Sequence, residues 1–218
     1  MFEVLIFDWD GTLADTREVI VISFQKVLSE IDCQVSNEFI ERRIGIGAAE
    51  TFREILRSTN ADIDESLIMR LVDRKSQLEI ELAWKVKLFE GARELLEALH
   101  PRIRIGLASM NNYSVVVPML KVNDLEKYFH VVLTAESISH SKPDPEIFLK
   151  TASKIETNPQ KCVVVEDSIF GVKAAKSANM SCIAITTGIY SKQELEREKP
   201  DLIVKTLKDP QILDFIYR

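Results

Sequence analysis

Val4-Leu5-Ile6-Phe7-Asp8-Trp9-Asp10-Gly11-Thr12-Leu13 is the stretch that decides the fold of this chain. Its first four residues are apolar and predict a short buried strand, although periodicity alone does not distinguish such a run from a turn of buried helix. The run stops at two carboxylates, and Gly11 then lets the backbone turn sharply. Alternate side chains of an extended segment point the same way, so Asp8 and Asp10 would face one ligand at the carboxyl end of the strand. A bound cation there would relieve the repulsion between them.

The composition is that of a soluble globular protein with one or two domains. The chain has 218 residues, of which 46% are hydrophobic and 28% are charged. Its net charge of −6 argues against nucleic-acid binding through a basic surface, but not against a small anionic substrate. No apolar run approaches ~20 residues, so we expect no membrane span.

The ends and the cysteines indicate a cytoplasmic protein. The N-terminus shows no basic segment followed by an apolar one, as a secretory leader would. The chain has three cysteines without metal-like spacing, and an odd number is typical of reduced thiols. The oligomeric state is not predicted by any of these features.

The region 15–87 carries helical patterns without a strand pattern between them. Expected helices cover 15–31, with Asp15 or Thr16 as N-cap, and 37–43, 48–57 and 63–84. We therefore predict an all-helical domain at 15–87, inserted into a core made of 1–14 and 88–218.

From residue 88 onwards, strand and helix patterns alternate. Such alternation predicts an α/β fold, with a Rossmann-like, doubly wound parallel sheet covered by helices on both faces. In the expected helix 112–122, Pro118 would either lie in the first turn or kink the helix. The expected strands are 103–108, 129–134, 162–165, 181–186 and 202–204, and the other expected helices are 90–99, 145–155, 168–178, 191–198 and 210–216.

Polar groups also follow two later strands, and a further one lies in a loop. Ser109 ends the strand 103–108, Glu166-Asp167 end the strand 162–165, and Lys142 lies between prolines in Ser141-Lys142-Pro143-Asp144-Pro145. Taken singly, Ser109 would be a helix N-cap, Lys142 a solvated lysine and Glu166-Asp167 an acidic helix start. However, Ser109 and Glu166-Asp167 follow strands as Asp8 and Asp10 do, and Lys142 lies in a loop between them along the chain. This order favours one shared site.

These groups, in this order, resemble the four motifs of the haloacid dehalogenase superfamily of phosphotransferases, whose first motif reads D-x-D-G-T. The segment Gly171-Val172-Lys173-Ala174-Ala175 also resembles the extension of the family's fourth motif. The resemblance covers the whole chain and is closest to the β-phosphoglucomutase and phosphoglycolate phosphatase branch. It identifies the helical insertion as the family's cap. One departure is Asn179, where relatives usually have Gly, and Asn is the next-best residue for a left-handed helix end.

The resemblance also implies the chemistry. Asp8 would attack phosphorus and form an aspartyl-phosphate, and Asp10 would protonate the leaving oxygen and later activate water. The cofactor would be Mg²⁺, held by Asp8, the main-chain carbonyl of Asp10 and Asp167, with Glu166 binding directly or through water.

The substrate's phosphate would be bound by a second set of groups. The resemblance gives this role to Thr12, Ser109, the neighbouring amide of Met110 and the charge of Lys142. In the cap, Arg42, Arg43 and the loop 44–47 are candidates for the substrate's distal end, although both arginines could instead be solvated helix residues. Segments 13–15 and 86–88 would form the hinge of the cap.

A phosphatase acting on a small phosphorylated metabolite is the leading interpretation. Gly11-Thr12-Leu13 is the form common among the family's phosphatases, whereas mutases of the β-phosphoglucomutase type often have Val after that Gly. The alternatives are such a mutase and a phosphate-binding protein without turnover. Asp10 argues against a dehalogenase, which lacks the second Asp. Phosphoglycolate, a sugar phosphate and a nucleotide all remain open as the substrate.

Overall fold

The computed structural model describes residues 2–58 and 64–217. Six of its strands form one parallel sheet in the order β5-β4-β1-β6-β7-β8, and the other two form a separate pair. In the described ranges the strands are β1 (Val4–Phe7), β2 (Ala14–Asp15), β3 (Lys87–Leu88), β4 (Arg104–Ala108), β5 (Val131–Leu133), β6 (Cys162–Glu166), β7 (Ser181–Ile185) and β8 (Leu202–Val204).

The helices follow the predicted order along the chain. They are α1 (Arg17–Ser29), α2 (Asn37–Glu41), α3 (Ala48–Ser58), α4 (Glu65–Glu81), α5 (Ala92–Leu99), α6 (Tyr113–Val122), α7 (Glu146–Lys154), α8 (Ile169–Ser177), α9 (Lys192–Arg197) and α10 (Gln211–Ile216). The predicted start of the helix 63–84 at Ile63 lies outside the described residues. No helix within the described ranges is long and apolar enough to cross a membrane.

Helices cover both faces of the sheet because the side chains of β1 alternate. Leu5 and Phe7 pack into a cluster with residues of α5, α6 and α10. Val4 and Ile6 point the other way and pack with residues of α7, α8 and α9. The predicted doubly wound α/β fold is therefore confirmed.

The register of the central strands brings the polar groups to one edge. Phe7 is level with Leu107 of β4 and with Val165 of β6. The residues that follow these strands therefore emerge side by side, and the order of connections reverses at β1. Ligands of open α/β sheets bind at such a point.

The helical insertion has a hydrophobic core of its own. The buried side chains of this cluster come from α1 to α4, and the rings of Phe24 and Phe52 lie 4.7 Å apart between centroids. The insertion leaves and rejoins the core through β2 and β3, which pair antiparallel with Ala14 opposite Leu88. We propose on this basis the division into a core (1–14 and 88–218) and a cap (15–87), with a hinge at the paired segments.

The structure decides two alternatives that the sequence left open and shortens one predicted strand. Pro118 lies in the middle of α6 and not in its first turn. The predicted strand 129–134 is shorter because Glu126–Tyr128 form a 3₁₀ helix and Phe129 ends it. Thr16, and not Asp15, is the N-cap of α1, since Asp15 belongs to β2.

Asn179 ends α8 in the left-handed conformation that the sequence predicts. Its φ is 57°, and its N–H donates to the Lys176 carbonyl at 3.1 Å. The N–H of Met180 donates to the Ala175 carbonyl, also at 3.1 Å, which completes a Schellman motif.

Replacing Asn179 should therefore change the free energy of unfolding through the backbone conformation at this position. Asn179→Ala should lower the free energy of unfolding by about 1 kcal/mol, because a β-carbon without a local hydrogen bond is disfavoured at positive φ. Asn179→Gly, the matched control, should equal or exceed the wild type. Urea unfolding followed by circular dichroism would measure both, and equal losses in the two variants would contradict the prediction.

Candidate active site

A buried lysine joins two carboxylates at the edge of the sheet. Lys142 Nζ donates to Asp8 Oδ1 and to Glu166 Oε1, both at 2.7 Å, and to the Ala108 carbonyl at 3.2 Å. Lys142, Asp8 and Glu166 are all buried. The contact therefore links the ends of β1, β4 and β6 to the loop that precedes α7.

That loop is fastened by Glu146 at the start of α7. The Glu146 carboxylate accepts the N–H groups of Ser139 and His140 at 3.0 and 2.8 Å and forms an ion pair with Lys150 at 2.6 Å. The hydrogen bond from Lys150, together with those from these amides, lowers the pKa of Glu146 to about 2. The sequence analysis missed this role, because an acidic residue in a first helical turn is common without one.

Asp167 lies between two glycines that leave room for it. Thr12 Oγ1 donates to Asp167 Oδ1 at 3.1 Å. A β-carbon at Gly11 would lie 2.2 Å from Asp167 Oδ2, and one at Gly188 would lie 1.9 Å from the same oxygen. A side chain at either position would therefore force the Asp167 carboxylate to move. Gly188 was also missed, although a glycine soon after a strand end was a usable signal.

Glu166 uses both of its oxygens inside the protein. While Oε1 accepts from Lys142, Oε2 accepts the N–H groups of Asp167 and Ser168 at 2.9 Å each and the Ser168 hydroxyl at 3.0 Å. A β-carbon at Gly171 would lie 1.8 Å from Oε1. Glu166 therefore orients Lys142 and the turn that carries Asp167.

Asp10 faces the cap side of the cluster. Ser109 Oγ donates to Asp10 Oδ2 at 3.2 Å and accepts the N–H of Asn111 at 3.0 Å. Asp10 Oδ1 has no hydrogen-bond partner among the described residues. Met110 is buried beside the cap loop, where a β-carbon at Gly47 would lie 2.9 Å from its Cε.

The buried carboxylates of this cluster lie so close together that their negative charges are only partly compensated. Burial raises the pKa of Asp8 well above its usual range, and Lys142 offsets only part of this rise. Burial and the nearby charges of Glu166 and Asp8 likewise raise the pKa of Asp167. Burial alone would lower the pKa of Lys142, but Asp8 and Glu166 raise it, so its ammonium stays charged. Three carboxylates thus share one ammonium.

The donors of this cluster fit a hard cation. One oxygen from each of Asp8, Glu166 and Asp167 lies within 4.8 Å of the other two. Mg²⁺ prefers such oxygen ligands, and the glycines around Asp167 keep the space beside it clear. A divalent ion would relieve the repulsion that the single ammonium leaves.

Two cavities flank the cluster. One of about 130 Å³ reaches Asp167 and is also lined by Gly11, Arg17 and Tyr190. The other lies between Asp10 and the cap, and its lining includes Arg43, Thr51, Lys75 and Asn111. A substrate would therefore contact both the core and the cap.

The structure places Arg42 away from both cavities. Its Nη1 donates to Glu194 Oε1 of the core at 2.6 Å, and its guanidinium lies 5.6 Å from the ring centroid of Tyr190. The Tyr190 hydroxyl donates to the main-chain carbonyl of Arg42. In this conformation Arg42 thus pairs with the core, whereas Arg43 lines the cavity beside Asp10.

Most residues predicted for the site lie together. The structure brings seven of them to this edge of the sheet, namely Asp8, Asp10, Thr12, Ser109, Lys142, Glu166 and Asp167. Met110 follows directly after Ser109. The sequence analysis missed Lys75 of α4, which lines the cavity beside Asp10 and forms a buried ion pair with Glu79, because polar residues on a helix usually face solvent.

Known proteins are similar to this chain over most of its length. Residues 5–185 match the family described as haloacid dehalogenase-like hydrolase. The pyrophosphatase PpaX of Listeria monocytogenes is 30% identical over 208 residues, covering 94% of this chain and 93% of the relative. A phosphorylated carbohydrates phosphatase of Thermotoga maritima is 32% identical over 183 residues, covering 83% of each chain.

A solved structure agrees in fold. The β-phosphoglucomutase of Clostridium difficile superposes with a TM-score of 0.87 at 26% identity, covering 100% of both chains. The family match spans most of the chain and includes the carboxylates and the lysine of the cluster. This chain belongs to the haloacid dehalogenase-like hydrolase family.

Proposed function

We propose that this protein is a Mg²⁺-dependent phosphatase that hydrolyses the phosphate monoester of a small metabolite. The observation that carries the proposal is the buried contact of Lys142 with Asp8 and Glu166, next to Asp167 and Asp10. It supplies a nucleophile, a fixed cation, a metal site and a second carboxylate on the cap side. An intact set of these groups also argues against a phosphate-binding protein without turnover.

In the first step Asp8 attacks phosphorus. A bond forms between an Asp8 oxygen and phosphorus, and the bond from phosphorus to the leaving oxygen breaks. Lys142 fixes the carboxylate through Oδ1, which leaves Oδ2 to attack. Its positive charge also stabilises the charge that spreads over the transferring phosphoryl group.

Asp10 acts as the general acid and then as the general base. Its carboxyl gives a proton to the leaving oxygen, and then takes one from the water that attacks the aspartyl-phosphate. The hydrogen bond from Ser109 holds one Asp10 oxygen. Asp10 also lines the cavity toward the cap, in which the leaving group would lie.

Asp8, Asp167 and the main-chain carbonyl of Asp10 would hold the metal. A Mg²⁺ ion held there would supply positive charge that offsets the repulsion between the Asp8 carboxylate and the phosphate of the substrate. Glu166 would act indirectly, because its oxygens already bind Lys142 and the Asp167-Ser168 turn.

The phosphate would be bound by donors that follow β4. The hydroxyl of Ser109 can turn from Asp10 to a phosphoryl oxygen, and the amide of Met110 follows it along the chain. Thr12 would position Asp167 through its hydroxyl. The small phosphorylated metabolite is supported by the names of the relatives, of which one acts on phosphorylated carbohydrates.

Asp8→Asn and Asp10→Asn should fail at different steps. With an activated aryl phosphate, Asp8→Asn should release no phosphate and form no phosphoenzyme, because an amide is a poor nucleophile. Asp10→Asn should accumulate phosphoenzyme, because a good leaving group needs little protonation whereas hydrolysis still needs a base. Rapid-quench experiments with labelled ester would measure both.

The exposed Asp73 of the cap supplies the control, since Asp73→Asn should behave as the wild type. Asp8 would not be the nucleophile if Asp8→Asn kept about a tenth of the turnover. Detection of inorganic phosphate as the product, with no rearranged phosphosugar, would distinguish a phosphatase from a mutase.

Activity should depend on Mg²⁺ and fall in Ca²⁺. Ca²⁺ takes more ligands at longer distances and could engage both oxygens of Asp8, which would misdirect the attacking oxygen. Phosphate release should stop in a chelator and return with Mg²⁺. Calorimetric titration of Mg²⁺ should show binding to the wild type and none to Asp167→Asn, and full activity in the chelator would exclude the metal.

Lys142→Met should also lower the stability of the metal-free protein. We expect a loss of about 3–5 kcal/mol in the free energy of unfolding, because Asp8 and Glu166 would stay buried without their partner. Lys127→Met, which removes a surface ion pair with Asp124, should leave stability nearly unchanged. Urea unfolding without metal would measure both, and equal effects would show that the buried contact contributes little.

A further inference from the structure

The turn that follows β1 contains a glycine directly after one of the proposed metal ligands. Gly11 has a φ of 82°, and its N–H donates to the Ala14 carbonyl at 2.9 Å. Because the peptide unit is planar and trans, the carbonyl of Asp10 points in the direction opposite to that N–H. This carbonyl is one of the groups that would hold Mg²⁺. The residue next to it is therefore the one with the greatest backbone freedom, and its conformation has to be fixed by contacts.

A hydroxyl from a distant part of the chain fixes the other side of Gly11. Thr187 Oγ1 donates to the Gly11 carbonyl at 2.5 Å, across a separation of 176 residues. Thr187 belongs to the loop that follows β7, and the sequence analysis gave it no role. The two peptide units that flank Gly11 are thus each held by one hydrogen bond, the first to Ala14 and the second to Thr187.

The residue after Thr187 contacts a second proposed metal ligand. Gly188 approaches Asp167 so closely that a β-carbon there would lie 1.9 Å from Oδ2, and one at Gly11 would lie 2.2 Å from the same oxygen. Thr12, the residue after Gly11, donates to Asp167 Oδ1 at 3.1 Å. Asp167 is therefore in contact with the turn after β1 and with the loop after β7, and the hydrogen bond of Thr187 joins these two segments.

These segments border one cavity. The cavity of about 130 Å³ that reaches Asp167 is lined by Gly11, Thr187 and Gly188 as well. Mg²⁺ usually keeps several of its water molecules in protein sites, and such a cavity offers space for them. The hydrogen bond of Thr187 thus lies beside the position that the hydrated cation would take.

The loop that carries Thr187 is held by contacts of its own. The N–H of Thr186 donates to the Val204 carbonyl of β8 at 3.0 Å. Tyr190 is buried, and its hydroxyl donates to the main-chain carbonyl of Arg42 in the cap. Because the loop is fixed on both sides of Thr187, the threonine can hold the turn after β1 in place. Loss of a group that holds a metal ligand in this way typically costs about 10- to 100-fold in metal affinity.

We propose that Thr187 is a positioning residue of the metal site and sets the affinity for Mg²⁺ through the Gly11 carbonyl. This inference rests on the proposed function, since it takes the Asp10 carbonyl and Asp167 as ligands of the metal. The Thr187 hydroxyl keeps the turn after β1 in the position from which one cation contacts both ligands. Without this hydrogen bond the glycine turn gains freedom, and binding of the cation has to order it again.

The test removes the hydroxyl and then restores it. Thr187→Val keeps the branched shape of the side chain but removes the donor, whereas Thr187→Ser retains the donor. Calorimetric titration of the metal-free protein should show a Kd for Mg²⁺ about tenfold higher in Thr187→Val and within about twofold of the wild type in Thr187→Ser. Thr186→Val, the matched control, removes a hydroxyl one residue earlier and should leave the Kd unchanged.

Hydrolysis of an aryl phosphate gives a second readout. The Mg²⁺ concentration that gives half-maximal activity should rise about tenfold in Thr187→Val, while kcat at saturating Mg²⁺ should stay within about twofold of the wild type, since enough metal refills the same site. A residue that only stabilises the fold would lower Tm and leave the Mg²⁺ dependence unchanged. An unchanged Kd in folded Thr187→Val would overturn the inference, and so would an equal rise in Thr187→Ser.

The outcomes separate this inference from the proposed function. Equal binding of Mg²⁺ by the wild type and Thr187→Val would overturn the role of Thr187 only. A wild-type protein that binds no Mg²⁺, or that releases phosphate fully in a chelator, would overturn the metal-dependent function and this inference with it. If Thr187→Val does not fold, as judged by circular dichroism, the same titration of Thr187→Ala decides.

Discussion

A single ammonium group, buried between two carboxylates, holds the catalytic edge of the sheet together. Lys142 contacts Asp8 and Glu166 at 2.7 Å each, in surroundings where an unpaired charge would be strongly disfavoured. Each of the three groups is therefore acceptable only because the other two are present. The ends of β1 and β6 and the loop before α7 must come together for any of these charges to be buried.

The surrounding residues hold Lys142, Glu166 and Asp167 in position. Glu146 fastens the loop that delivers Lys142, and Glu166 binds the turn that carries Asp167. Gly188 and Gly171 let the backbone approach the two carboxylates more closely than any β-carbon would allow. One ammonium still cannot balance three carboxylates, and this remaining imbalance is what makes the edge suitable for a divalent cation.

The sequence could predict features that depend on neighbours along the chain. The apolar run before Asp8, the helical periodicity of the insertion and the left-handed end at Asn179 are local, and the structure confirms them. Features that depend on how the cap docks could not be predicted. The partner of Arg42 is Glu194, 152 residues away, and burial of Glu79 results from the packing of α4 against the core. The sequence analysis named Arg42 as a candidate for the substrate and assigned no role to Glu79.

The two-residue ladder of β2 and β3 has a consequence for how such enzymes diversify. The chain enters and leaves the cap at adjacent points, with Ala14 opposite Leu88. An insert whose ends already meet adds little loop-closure entropy to the folding of its host. A different helical domain could therefore replace this one between the same two residues. Such a replacement could alter the substrate range, while the carboxylates and the lysine at the sheet edge stay in place.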